Sequence, residues 1–238
     1  MPDPDLETSS TRVVDDAGTV APPRPPRQRN PRGQGARLRD EIIAGAAAIL
    51  ERTGSEESIT LRAVAREVGI APPSMSRCFA DRAEVIDAVV AQELTELRDA
   101  MVVAKEAETD PAAQLFAIVR AYHAHGHAHP NRYRVIFERR FLPLWEAEQR
   151  TMDQTAPLIT ETFGLVVATI ERCVDAGSSA STDPFADATA LWLAVHGLVV
   201  LPPTIPSFPW PDADQLLVTC VGRLIGLNSS RASLLGFC

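Results

Sequence analysis

An all-α fold is what this sequence predicts, and three observations carry it. Apolar residues recur at helical spacing in the long segments, no alternating strand pattern persists, and Pro, Gly or Ser clusters cut the chain into helix-sized lengths. With 238 residues, 45% of them hydrophobic, the chain can bury a substantial core and fits one or two domains.

Residues 1–35 are rich in Pro, Asp, Arg and Gly without periodic apolar positions, a composition that cannot offset its ordering entropy, so a disordered arm is expected. A first helix over 37–52 is set by the stripe Leu38, Ile42, Ala46, Ile49 and Leu50, and Thr53-Gly54 closes it. Thr60 then caps a short helix in which Leu61, Val64, Ala65 and Val68 share a face. Gly69 supplies the left-handed stop, and Ile70 returns to the core. The next helix opens on Pro72 and Pro73, which need no amide in a first turn, and runs toward Phe79. It presents Ser74, Ser76 and Arg77 outward, with Met75 and Phe79 inward. Two short helices across a tight turn form a helix-turn-helix, whose second helix suits a DNA major groove. Asp81-x-x-Glu84 is a capping box that starts a long helix at Arg82, continued by Val85, Val89, Leu94, Leu97 and Met101.

Further helices are expected over 111–128, 131–141, 150–175, 184–201 and 212–227. Between the last two, 202–211 carries five Pro and should be a stiff connector. These two helices are apolar on more than one face, the pattern of elements that serve both their own subunit and a symmetric four-helix interface. Val195, Leu198, Leu217, Val221 and Leu224 are the expected dimer contacts.

The formal net charge of −8 would argue against nucleic acid if it were uniform. It is not uniform. Six Arg (24, 27, 29, 32, 37 and 39) lie between residues 24 and 39 with no acid among them, at the edge of the helix-turn-helix. The four Cys (78, 173, 220, 238) show no CxxC spacing, so reduced thiols in a cytoplasm are expected. The first residues form no apolar leader and no run of about 18 apolar residues stands out, so neither secretion nor a membrane span is expected.

Catalytic signatures are missing: there is no GxSxG, HExxH or phosphate-cradling glycine loop, and no enzyme or cofactor is expected. His123, His125, His127 and His129 pair two by two on a helix, which brings at most two ligands together from each face; a metal- or redox-responsive protein stays open as the alternative. Tyr122, Phe137, Trp145, Trp192 and His196 combine large apolar surfaces with a few polar tips, the chemistry that lines a pocket for a hydrophobic molecule.

The run Leu61-Arg62-x-Val64-Ala65-x-x-Val68-Gly69-Ile70, followed by Phe79-x-Asp81-Arg82-x-Glu84-Val85, resembles the DNA-binding domain of the TetR family of bacterial repressors. Softer likenesses to the family's ligand domains are His129-Pro130-x-x-Tyr133-Arg134-Val135-Ile136-Phe137 and Leu191-Trp192-x-x-x-His196-Gly197-Leu198. Ser76 stands where the family commonly carries an aromatic. The resemblance implies a DNA-binding domain over 36–81, an effector-binding and dimerisation domain over 82–228, and a tail over 229–238. It implies a ligand-responsive repressor that binds a pseudo-palindromic operator as a homodimer, with Arg39, Thr60, Arg62, Pro73, Ser74, Ser76, Arg77 and Arg82 toward DNA. A helical protein of the same fold that has lost DNA binding is the other alternative.

Overall fold

The computed structural model describes residues 35–138 and 145–227, and all its regular elements are helical apart from one isolated Ser179–Leu227 bridge. The expected N-terminal arm and the C-terminal tail lie outside the described residues, except Gly35, which opens the first helix. The helices are α1 (Gly35–Thr53), α2 (Leu61–Val68), α3 (Pro72–Met75), α4 (Arg82–Glu106), α5 (Pro111–Ala128), α6 (Pro130–Glu138), α7 (Trp145–Asp175), α8 (Pro184–Thr204) and α9 (Ala213–Leu224).

Local chemistry sets most of these ends. Thr60 accepts the Ala63 amide at 3.1 Å, Asp81 the Glu84 amide at 2.8 Å, and Asp183 and Asp212 cap α8 and α9 in the same way. Glu84 completes its box one residue early, accepting the Ala80 amide at 2.7 Å. Gly69 ends α2 at φ 74°, the left-handed conformation that the tight turn requires.

Two differences from the sequence reading have physical causes. The second helix of the helix-turn-helix ends at Met75 instead of continuing to Phe79: the Cys78 and Phe79 amides both turn back to the Met75 carbonyl, and the serines on either side of Met75 propagate a helix weakly. The proline-rich connector starts later than expected, because α8 runs through Pro202 and Pro203. Proline already holds a helical φ, so the helix continues at the loss of the two bonds that the missing amides would have made to the carbonyls four residues back; the Ile205 amide still reaches Leu201 at 2.9 Å.

Two hydrophobic cores result. The first joins α1, α2, α3 and α4 as far as Leu94, with Ile42, Leu50, Val64, Met75, Phe79 and Val85 at its centre, and it takes in Val135 and Ile136 of α6. The second gathers Leu97 and Met101 of α4 with α5, α7, α8 and α9. Helices α4 and α6 therefore belong to both layers. At one crossing the backbones approach so closely that a Cβ on Gly126 would lie 2.6 Å from Val199 Cγ1 and 3.1 Å from Tyr133. Val199 is β-branched and buried, so it cannot swing aside. Gly126→Ala should destabilise the chain by about 1 kcal/mol or more, overpacking outweighing the helix propensity gained, as measured by urea denaturation. A gain in stability would mean that α5 and α8 have room to separate.

Candidate functional site

The outer surface of the helix-turn-helix is built from α2, α3 and the turn after it. Thr60, Arg62, Pro73, Ser76 and Arg77 are exposed there, Ser74 is half-buried, and Arg77 donates to Ser74 Oγ at 3.1 Å. Arg39 and Arg82 are placed differently from their expected role at DNA. Arg39 donates to the Cys78 carbonyl at 3.1 Å, pairs with Glu84 at 3.5 Å and lies 4.2 Å over the Phe79 ring. Arg82 donates to the carbonyls of Ile59 at 2.8 Å and Glu56 at 2.6 Å. Both guanidiniums span elements far apart in sequence and so brace the head, while about two-fifths of each side chain stays exposed, 41% for Arg39 and 42% for Arg82.

Behind the head, four helices meet around one buried carboxylate. Glu93 of α4 is 2% exposed; it accepts from His125 Nε2 at 2.7 Å and pairs with Arg132 at 3.0 Å. Arg132 also lies 3.4 Å from Glu96 and 3.6 Å from Glu51 at the end of α1. Its neighbours fasten the same end of α1: Asn131 donates to the Glu51 carbonyl at 2.8 Å and Arg134 to that of Gly54. The start of α6 is thus tied to the head.

The other end of α6 reaches a cavity of about 500 Å³. Its wall comes from α4 (Leu94, Leu97, Met101), α5 (Ile118, Val119, Tyr122), α6 (Ile136, Phe137), α7 (Ile159, Thr160, Thr162, Phe163, Val166) and α8 (Phe185, Thr189, Leu191, Trp192, Val195). Among the described residues, no charged side chain lines it. Tyr122, Phe137 and Trp192 come together there as expected. His196 stands behind the wall, and the side chain of Trp145, at the start of α7, lies outside the described residues.

The polar tips at this wall are bonded in series. Trp192 Nε1 donates to Tyr122 Oη at 3.0 Å, Tyr122 and Tyr133 hydroxyls meet at 2.7 Å, and Tyr133 Oη meets His196 Nδ1 at 2.7 Å. Burial pushes the Tyr122 hydroxyl up to about 12, although its bonds to Tyr133 and Trp192 pull the other way. Burial also raises Tyr133, with the neighbouring Tyr122 adding to the effect. It holds His196 below the usual imidazole range, so this ring is neutral at pH 7.

The expected dimer contacts need correction. Val195, Leu217 and Val221 are buried in the chain's own second core, while Leu198 and Leu224 are half-buried against it. A hydrophobic set read from spacing alone does not reveal which of two apolar faces turns inward. The outward apolar residues of α8 are Phe185, Leu193, Val200 and Leu201. By length and composition alone α8 is apolar enough to cross a bilayer, a run the sequence reading did not single out; 22% of its most apolar stretch is buried in this structure. Among the described residues, no three His, Cys, Asp or Glu are grouped to hold a metal. The His123 and His127 rings stack 6.0 Å apart. Burial pushes the Cys173 and Cys220 thiols up, away from the reactive thiolate.

Residues 115–217 match the family model described as the tetracyclin repressor-like C-terminal domain. That stretch is a tetracyclin repressor-like C-terminal domain. The fold of the chain agrees: a Rhodococcus sp. RHA1 protein of unknown function superposes with a TM-score of 0.69 at 22% identity, over 80% of this chain and 95% of that one. A structure titled a putative TetR-family transcriptional regulator from Mesorhizobium loti gives 0.63 at 14% identity, over 82% and 98%. The transcriptional regulator FadR from Bacillus subtilis, solved in complex with stearoyl-CoA, gives 0.64 at 10% identity, over 78% and 97%. No curated protein matches the sequence.

Sequence reasoning missed Glu93, Arg132 and the bridging role of Tyr133. One signal was present: Glu93 occupies the apolar stripe Val89, Leu97, Met101 of α4, where a carboxylate demands a partner.

Proposed function

We propose that this chain is a ligand-responsive transcriptional repressor of the cytoplasm, binding a pseudo-palindromic operator as a homodimer and released by a small hydrophobic molecule. The observation that carries the reading is the position of the cavity. It is apolar, of ligand size, and walled by the same α4 and α6 that enter the head's core. A molecule that binds better when these helices shift moves the heads, and DNA affinity falls by no more than its differential affinity for the two states.

Division of labour follows the two cores: the helix-turn-helix meets DNA, and the remaining helices hold effector and partner. In the head, Arg62 and Arg77 with Thr60, Pro73, Ser74 and Ser76 face the groove, whereas Arg39 and Arg82 act as braces. Arg77→Ala should weaken operator binding by about 1 to 3 kcal/mol if it reads a base, or flatten the salt dependence by about one unit if it meets phosphate. Gel shifts at several salt concentrations separate the two. Unchanged binding by a folded variant would count against the assignment.

For assembly, the exposed apolar side of α8 is the surface a second copy would cover. Leu193→Glu should leave the fold intact and halve the mass seen by light scattering. Val221→Glu should instead lower stability by several kcal/mol, because it places a carboxylate in the core. A folded Leu193→Glu dimer would move the interface elsewhere.

A further inference from the structure

The series Trp192, Tyr122, Tyr133, His196 has a direction, and the direction selects the polarity of the ligand. Two of its members, Tyr122 and Trp192, line the cavity, and the other two stand behind them. Indole nitrogen donates only, so Tyr122 Oη accepts from Trp192. Among the described groups, the one arrangement that gives every hydrogen an acceptor has Tyr122 donating to Tyr133 and Tyr133 donating to His196 Nδ1. In the opposite arrangement His196 would donate to Tyr133 and Tyr133 to Tyr122, and the Tyr122 hydrogen would turn to the cavity, with no acceptor among the described groups. The neutral state of His196, imposed by burial, agrees with an accepting Nδ1.

From this ordering, which presupposes the pocket reading above, we infer that the effector site takes an apolar molecule whose polar group is a hydrogen-bond donor, an alcohol, phenol or N–H, met by the one acceptor lone pair left on Tyr122. Both donors at the aromatic end of the wall are already engaged, the Trp192 N–H with Tyr122 and the Tyr122 O–H with Tyr133; of the threonine hydroxyls, Thr162 and Thr189 donate to the carbonyls of Leu158 and Phe185, and Thr160 stands apart from the series on α7. A ligand that meets Tyr122 with only an ether or carbonyl oxygen finds no free donor at that end of the cavity unless the whole series reverses. Tyr133 and His196 are positioning residues; they hold the hydrogen of Tyr122 away from the cavity.

Isothermal titration of the full chain with 1-decanol and with its isomer methyl nonyl ether tests this, since the two differ in one donor and not in size. The alcohol should bind about tenfold more tightly. Tyr133→Phe frees the Tyr122 hydrogen to donate into the cavity, so the ether should gain several-fold and the preference narrow or invert. Tyr122→Phe should level the two. Equal or stronger binding of the ether to the wild-type chain overturns the polarity while leaving the pocket in place. An undiminished preference for the alcohol in folded Tyr133→Phe overturns the role of the series. Binding of neither isomer overturns the pocket reading itself, and the inference with it.

Discussion

The ion pair between Glu93 and Arg132 is the interaction on which the rest of the structure depends. A carboxylate 2% exposed among apolar side chains is tenable only with partners, and it has two, Arg132 from α6 and His125 from α5. Such a pair is weak evidence of stability, because desolvating both charges offsets most of their attraction. Its strength lies in the asymmetry: with one partner removed, the other is a buried charge, which in other proteins costs about 3 to 5 kcal/mol. Three helices, α4, α5 and α6, are therefore fixed relative to one another at a single point, with α1 added as a fourth through Glu51 and through the carbonyls of Glu51 and Gly54.

From that point α6 works as a short lever. Nine residues long, it holds α1 and α4 through Asn131, Arg132 and Arg134 and ends at the cavity with Ile136 and Phe137. Tyr133, between them, is fully buried and bonds to both Tyr122 and His196. Because interiors pack at crystal-like density, a side chain displaced at Phe137 cannot be absorbed locally. In the proposed function, the displacement would pass to the head through the same turns of helix that carry the ion pairs.

The sequence made the fold legible where structure is local. Thr60, Asp81, Asp183 and Asp212 are caps whose partners lie three residues on, and Gly69 marks a turn that only a left-handed residue makes easily. The pocket aromatics Tyr122, Phe137 and Trp192 were legible as amphipathic groups on helices that must meet. What was illegible depends on long-range pairing. Arg39 on α1 and Arg82 at the start of α4 flank the helix-turn-helix, yet their carbonyl partners lie 39 and 23 to 26 residues away. Val195, Leu217 and Val221 have the spacing of an interface and the burial of a core, because α8 and α9 are apolar nearly all round and their rotation is set by α5 and α7. The end of α3 at Met75 is a local case instead: the Cys78 and Phe79 amides share one carbonyl three and four residues back, a choice that helical spacing does not reveal.

Scanning calorimetry of the full chain and of Arg132→Leu is the most direct measurement of whether this junction makes one mechanical body of two cores. The wild-type chain should melt in a single cooperative transition, and Arg132→Leu should split it in two, with the helix-turn-helix core unfolding first. A single transition in the variant at an unchanged temperature would contradict the account, since Glu93 would then need no partner from α6 and the cavity no path through it.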